Sequence, residues 1–269
     1  MDWRELNRAM WNERVPLHLA SRLYDVAAFK KGKSSLRAFE EEELGAVSGK
    51  QLVHLQCHIG LDTISWARKG ARVVGLDFSK PAIDAARRLA VETGACAEFV
   101  CADLYDAPEI LAKRFDVVYT GVGALGWLPD ITKWARVVSQ LMKPGAVLYL
   151  VEIHPLCDAM ADSTLDFEYD YFHDPAGHVF EESGSYAEPA ARTRHNRSIA
   201  WRHPIGDVVT ALASEGLRIQ LLREHDFTVF LRWPFLEERA DGTFHLPATM
   251  KRLPLMYSLK ACAKDAPCP

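Results

Sequence analysis

Apolar and polar positions follow two periods along this chain, and the switching between them predicts its elements. Short apolar runs at 52–55, 97–101, 115–120 and 146–153, and another ending on Asp77, read as buried strands. Segments running from Gly60 to about 68, from 79 to 92 and from 131 to 142 read as helices, the second capped by Ser79 with Pro81 in its first turn. Strands alternating with helices predict a mainly parallel sheet with helices on both faces.

Before this core, apolar residues at helical spacing predict helices over 3–11, 16–26 and 36–44, with Ser34 or Ser35 as the cap of the third. Trp11, Arg14, His18 and Tyr24 recur a turn or two apart. After 153 the pattern breaks into an aromatic and polar insertion over 156–204, including Tyr169, Tyr171, Phe172, His173, Tyr186, Trp201 and His203. A loop of that length without structure is unusual in a compact domain, so short antiparallel strands forming a cover are expected. A helix over 205–215 stopped by Gly216, a sixth strand over 217–222, a second insertion over 224–255 and a last strand over 256–261 complete the chain. No internal repeat is present.

The most informative stretch is 52–79. A buried strand leads into the turn Gln56-Cys57-His58-Ile59-Gly60, a helix follows, and the next strand stops on Asp77. In α/β sheets the ligand sits at the carboxyl ends of the strands, where a helix N-terminus offers free N–H groups. A carboxylate at that strand tip can accept from both hydroxyls of a ribose, which points to an adenosine-containing cofactor. Gly121-Val122-Gly123-Ala124-Leu125-Gly126 also spells the dinucleotide fingerprint G-x-G-x-x-G. However, Trp127-Leu128-Pro129-Asp130 intervenes, so the helix starts too late for its N-terminus to face a pyrophosphate.

Composition narrows the classes. The 269 residues suit one large α/β domain, with 49% hydrophobic and 25% charged residues. A formal net charge of −4 argues against a dedicated nucleic-acid binder, and the cluster Arg192, Arg194, His195, Arg197 and Arg202 reads as a solvated loop face rather than an anion site. The opening MDWRELNRAMW has no apolar signal core and no run approaches a membrane span, so a cytoplasmic protein is expected. Cysteines at 57, 96, 101, 157, 262 and 268 form no C-x-x-C pair, and the ten histidines show no ligand spacing, so no metal is expected.

The stretch 52–79 resembles the first motif of class I S-adenosylmethionine-dependent methyltransferases, V-L-D-L-G-C-G-x-G followed by a strand ending in an acid. Cys57, Gly60 and Asp77 match it. His54 stands where the family usually has an acid, and Gln56 and His58 stand where it has glycines. Asp103-Leu104 after the third strand, the FDVVYT run at 115–120 and the Lys143-Pro144-Gly145 turn extend the resemblance over about residues 50–155.

The resemblance implies an α/β, Rossmann-like, seven-stranded mostly parallel sheet with the last strand antiparallel at the sheet's end. It also implies an N-terminal helical lid (1–48), a cofactor-binding core (49–155), a substrate-cover insertion (156–204) and a closing helix and strands (205–269) in a single domain. It implies S-adenosyl-L-methionine as cofactor, held by Trp11, Arg14, Gln56, His58, Gly60, Asp77, Phe78, Asp103, Leu104, Thr120 and Gly121, with Trp127 walling the site. The activity implied is transfer of a methyl group to N or O of a small molecule in specialised metabolism, and the aromatic cover favours a planar acceptor. His154, at the tip of the fifth strand, is the best placed candidate for a general base, with a structural role bonding the neighbouring loop as the alternative, and His203 and Tyr171 are further catalytic candidates. The expected partner is the small-molecule acceptor alone, with no nucleic acid and no membrane, and the chain is expected to be a monomer or homodimer. An NAD-dependent oxidoreductase and a non-catalytic cofactor-binding protein stay open as alternatives.

Overall fold

A computed structural model describes residues 2–263. Helices α1 (Trp3–Ala20), α2 (Val26–Lys30) and α3 (Ala38–Leu44) precede β1 (Gln51–Leu55). There follow α4 (Leu61–Arg68), β2 (Arg72–Asp77), α5 (Lys80–Thr93), β3 (Ala97–Cys101), α6 (Ala107–Leu111), β4 (Phe115–Thr120), α7 (Ile131–Leu141) and β5 (Met142–Ile153). The last part contains α8 (Pro155–Asp158), β6 (His178–Glu181), β7 (Arg197–Ala200), α9 (Ile205–Ser214) and β8 (Leu217–His225). The short strands β9 (Phe227–Thr228), β10 (Glu237–Glu238) and β11 (Phe244–His245) come next, and β12 (Met256–Ala263) ends the described chain. Cys268 lies outside the described residues.

Seven strands form one sheet in the order β3-β2-β1-β4-β5-β12-β8. All neighbours are parallel except at β12, which runs antiparallel to both β5 and β8. The mostly parallel sheet with an antiparallel last strand is therefore as expected, but β12 lies one place in from the end of the sheet. Its side chains explain this, because Met256, Tyr257, Ser258, Leu259, Ala261 and Cys262 are all buried and suit an interior strand. β8 alternates exposed arginine, glutamine and glutamate with half-buried residues, which suits an edge.

Successive strand residues face opposite sides, and each side has its own apolar layer. Val53, Leu55, Val118, Leu148 and Leu259 meet Trp134, Val138 and Leu141 of α7 and Leu212 of α9. Leu52, Val73, Val117, Tyr119, Tyr149 and Val151 face Trp66 of α4 and Leu44 of α3, while Ile64, Ile83, Ala86 and Leu89 of α4 and α5 close around Phe99.

Three local expectations are corrected. The helices expected at 3–11 and 16–26 are one helix running through Pro16 to Ala20. The lost N–H of Pro16 is offset by outside support: Asn7 exchanges two hydrogen bonds of 2.8 Å with the backbone of Ile199, and Arg14 and Glu13 bind further insertion backbone. Residues 21–25 then break the helix, with Asp25 in a left-handed conformation capping α2. Neither Ser34 nor Ser35 caps α3; the Glu40 carboxylate accepts the Arg37 N–H at 2.8 Å, and Ser35 bonds Ser65 instead. Lys143-Pro144-Gly145 is a bulge inside β5 rather than a turn before it, since Met142 pairs with Phe115 while Val147 already pairs with Val117, and Gly145 supplies the left-handed residue.

The 156–204 insertion carries the antiparallel hairpin β6–β7, and the second insertion carries the small sheet β10-β11-β9. The hairpin lies on α1, with Trp3 edge-on to Trp201 at 5.5 Å. No described helix is long and apolar enough to cross a membrane.

Gly60 tests the packing under the β1 turn. Its φ is +78°, and a Cβ there would lie 2.6 Å from Phe99 and 2.8 Å from Ala86. Gly60→Ala is expected to lower unfolding free energy by about 2–4 kcal/mol through strain and overpacking. Gly94→Ala, also at positive φ but with nothing within 4 Å, is expected to cost only about 1 kcal/mol. Urea titration of the two variants checks the difference.

Candidate active site

At the end of β1 the chain turns through three left-handed residues, Gln56 (φ 56°), His58 (φ 50°) and Gly60 (φ 78°). Glycine adopts this conformation freely, whereas the two side-chain-bearing residues cost of order 1 kcal/mol each. Hydrogen bonds hold the turn. Cys57 N–H reaches Leu76 O at 2.9 Å, and His58 N–H reaches Asp77 Oδ2 at 2.9 Å. Asp77 Oδ1 accepts the Ser79 N–H at 2.8 Å. Burial pushes the Asp77 carboxyl up to about 6, against the pull of these backbone donors. Each oxygen still has a lone pair to spare.

Beside this turn, at the carboxyl ends of β1, β2 and β4, opens a cleft with about 790 Å³ of empty space, part of it open to solvent. Gln56 and His58 line it from the turn, Asp77 and Phe78 from the tip of β2, and Asp103 and Leu104 from the segment after β3. Trp11 of α1 completes the expected residues found there. Asp103 also caps its own 3₁₀ turn through the Tyr105 N–H at 2.8 Å and pairs with Arg4 at 2.9 Å. Gln56 Nε2 donates to Ala124 O at 2.9 Å, while its Oε1 is buried without a partner among the described residues.

The loop after β4 forms another wall with Val122, Gly123, Ala124 and Trp127. Glu152, near the end of β5, holds it, since its carboxylate accepts the N–H groups of Gly123, Leu125 and Ile153, each at 2.7 Å. Burial pushes Glu152 up to about 7. The G-x-G-x-x-G run leads into a 3₁₀ turn at Leu125–Trp127, and α7 begins only at Ile131, so no helix N-terminus meets its glycines.

Rings close the cleft. Trp11 stands edge-on to Trp127 at 5.2 Å and to His58 at 5.6 Å. The Tyr24 hydroxyl bonds the Tyr186 hydroxyl, joining the segment before α2 to the insertion across the cleft. His18, fully buried and stacked on Tyr24 at 5.3 Å, lies between His58 and Ser185. Burial lowers His18 to about 4 and His58 well below the ordinary histidine value, so both are neutral near pH 7.

Several expected residues lie elsewhere. Arg14 does not line the cleft; its guanidinium donates to the carbonyls of Met10, Glu182 and His195 and fastens the insertion to α1. Gly60 sits under the turn against Phe99, Thr120 is fully buried, and Gly121 is beside His54 and Asp62. None of the three catalytic candidates lines the cleft. His154 is turned away from it by strand pairing and capping: its N–H bonds Leu255 O, Nδ1 accepts the Leu156 N–H at 3.1 Å, and Nε2 lies 3.0 Å from Glu224 of β8. His203 Nε2 donates to Leu128 O at 2.7 Å with its ring on His173, and Tyr171 packs edge-on to Phe172. The sequence reading missed Trp3 and Glu152. An acid inside the apolar run VLYLVEI was the one available signal for Glu152.

Residues 53–148 match the family described as a methyltransferase domain. The chain is 31% identical over 113 residues to a ubiquinone biosynthesis O-methyltransferase of Hahella chejuensis (strain KCTC 2396), covering 42% of this chain and 47% of that protein. It is 29% identical over 181 residues to the protein of the same name from Xanthomonas axonopodis pv. citri (strain 306), covering 66% and 75%. The chain thus spans about half the length of the first of these relatives. A solved methyltransferase from Streptomyces caelestis, 14% identical, has the same fold with a TM-score of 0.61 over 95% of this chain and 98% of that one.

The Glu152 contacts predict how the loop wall is kept in place. In Glu152→Gln the amide NH₂ faces one of the three N–H donors. A loss of about 1–3 kcal/mol in unfolding free energy is expected. Faster amide exchange at Gly123 and Leu125 than in the native protein checks that the loss is local to this loop.

Proposed function

From the match of residues 53–148 to a methyltransferase domain and the resemblance of 52–79 to the class I first motif, we infer that this chain methylates N or O of a small planar molecule with S-adenosyl-L-methionine as donor. The observation that carries the reading is Asp77, a buried carboxylate at the tip of β2 whose oxygens are oriented by two backbone amides and keep lone pairs beside the cleft.

The residues fit the donor. Gly75 lets the turn pack closely, since a Cβ there would lie 2.8 Å from Cys57 Sγ. The unpartnered Gln56 Oε1 suits the amino group of the methionine end. Asp77 would accept the ribose hydroxyls, Phe78 and Leu104 would hold the adenine faces, and Asp103 would accept its amino group. The bound donor supplies an electrophilic methyl carbon. The chain's remaining task is to hold a nucleophile in line with it and to exclude water. Trp11, Trp127, Tyr24 and Tyr186 are placed for that. The names of the relatives favour oxygen as the target. The late start of α7 leaves the glycine run without a pyrophosphate cradle, which counts against the NAD reading.

Calorimetry with S-adenosylhomocysteine tests this. Asp77→Asn is expected to weaken binding by about 1.5–3 kcal/mol through loss of a charged acceptor. In the native protein the hydroxyl donors select the ionised carboxylate, whose folded value near 6 lies above the ordinary 3.8. Affinity should therefore fall about tenfold between about pH 7 and about pH 5. Burial has the opposite effect on folding, because the stability linked to this group is complete below the ordinary value and is lost as pH rises through about 6. Thermal stabilisation by NADH and none by S-adenosylhomocysteine overturns the reading.

A further inference from the structure

His58 lines the cleft with an imidazole on a backbone conformation that glycine would adopt without strain. Its Nε2 lies 3.0 Å from His18 Nδ1, and His18 Nε2 lies 2.6 Å from Ser185 Oγ, which also accepts the Ala187 N–H at 3.2 Å. The other nitrogen, His58 Nδ1, is buried and has no partner among the described residues. These groups have two consistent proton arrangements. In one, His58 Nε2–H donates to His18, His18 Nε2–H donates to Ser185, and His58 Nδ1 presents a lone pair. In the other each ring proton has moved to the opposite nitrogen, Ser185 donates to His18, and His58 Nδ1 carries hydrogen. Passing from the first to the second takes a proton in at His58 Nδ1 and releases one from the Ser185 hydroxyl.

The lining also selects the acceptor. Among the described residues no lysine or arginine lines the cleft, so a carboxylate or phosphate on the acceptor would meet no side-chain counter-charge. In the reading above the free lone pairs of Asp77 and Asp103 go to the donor's ribose and adenine, so a cationic amine on the acceptor would meet no carboxylate left over among the described lining residues. Neutral molecules remain, and the Trp11 and Trp127 rings favour planar ones.

Resting on the methyltransferase reading above, we propose that the acceptor is a neutral planar molecule bearing a hydroxyl, that His58 Nδ1 takes the hydroxyl proton, and that His18 is a positioning residue that orients His58 and shares the charge. Methylating a hydroxyl forms an O–C bond, breaks the donor's C–S bond with its electron pair left on sulfur, and releases one proton. That proton goes to His58. The titratable groups facing this imidazole are His18, Tyr24 and His54, with the Asp77 carboxylate on its backbone N–H. Burial keeps His58, His18 and His54 unprotonated near neutral pH, so the lone pair is available, and a buried imidazolium at His58 forms only beside the oxyanion that gave up the proton, which is its counter-charge.

The probe is 4-nitrophenol, whose phenolate is read directly by absorbance, added to protein saturated with S-adenosylhomocysteine at a pH below the value of the free phenol. Proton transfer in the cleft is expected to raise the phenolate fraction about threefold over the free probe, the equivalent of about half a pKa unit. His58→Asn, which tolerates the left-handed backbone, should abolish the rise at an S-adenosylhomocysteine concentration that calorimetry on the variant itself shows to be saturating. His18→Phe keeps a ring on Tyr24 and should reduce the rise. Equal phenolate fractions in the native protein and His58→Asn overturn the assignment. If His58→Asn does not fold, an unchanged rise in His18→Phe overturns it. No binding of 4-nitrophenol by the native protein overturns the acceptor class, and no binding of S-adenosylhomocysteine by the native protein overturns the underlying reading.

Discussion

The site depends on one hydrogen-bonded corner, in which the Asp77 carboxylate accepts the amides of His58 and Ser79 and so locks the tip of β2 to the turn after β1. A left-handed turn bearing Gln56 and His58 is strained, and the strain persists only because neighbouring contacts hold it. Cys57 N–H on Leu76 O supplies one such contact. The close packing of Gly60 and Gly75 on Phe99 supplies the others, because neither position has room for a side chain. From this corner follow the direction of α4, the position of Asp77 beside the cleft, and the orientation of the His58 ring toward His18.

The second half of the cleft comes from chain far away in sequence, and polar contacts to backbone bring it in. Asn7 pairs with Ile199 as another strand would, Glu13 accepts the Arg194 and His195 amides, and the Arg14 guanidinium donates to two insertion carbonyls. An edge of the β6–β7 hairpin is thereby satisfied by a helix, which leaves few unpaired backbone groups for solvent or other chains. Ring contacts then transmit this docking to the cleft, through Trp11 on Trp127 and through Tyr24 on Tyr186. The cleft is thus shaped jointly by α1, the β4 loop and the insertion.

What could be seen in the sequence was what depends on local pattern. β3 and β4 fall where their apolar runs lie, and Ser79 caps α5 with Pro81 in its first turn, because these features are decided within a few residues. Asp77 was recognisable because a strand tip is fixed by the same pattern, whereas Phe78, Asp103 and Leu104 were named through the family resemblance. The misses share a cause, which is contact across long sequence separations. Pro16 was read as a helix start because the support from Ile199 was invisible. His154 was placed beside an acceptor because the pairing of β12 and the reach of Glu224 from β8 were not available. His18 and His58 were noted separately, forty residues apart, and only the fold puts them 3.0 Å from each other.

Beneath the cleft the sheet carries a polar layer that is unusual for such a buried place. Tyr119 donates to Glu40 at 2.6 Å, Tyr149 to Glu43 at 2.8 Å, and His54 pairs with Thr63 at 2.9 Å, all buried. Burial drives the two kinds of group in opposite directions. Glu40 and Glu152 rise to about 7, so their contribution to stability is complete below the ordinary carboxylate value and is lost as pH rises through about 7. His18 and His54 fall to about 4, so theirs is complete above the ordinary histidine value and is lost as pH falls through about 4. The acids and the imidazoles therefore oppose each other across the weakly acidic range. Glu40 and Glu152 favour the fold in their neutral form, and His18 and His54 in theirs. Hydrogen bonding of each buried polar group is what a low-dielectric floor under the cleft requires, with Glu43 also paired to Arg223 at 2.8 Å, and it leaves Asp77 and Asp103 as the carboxylates that line the cleft.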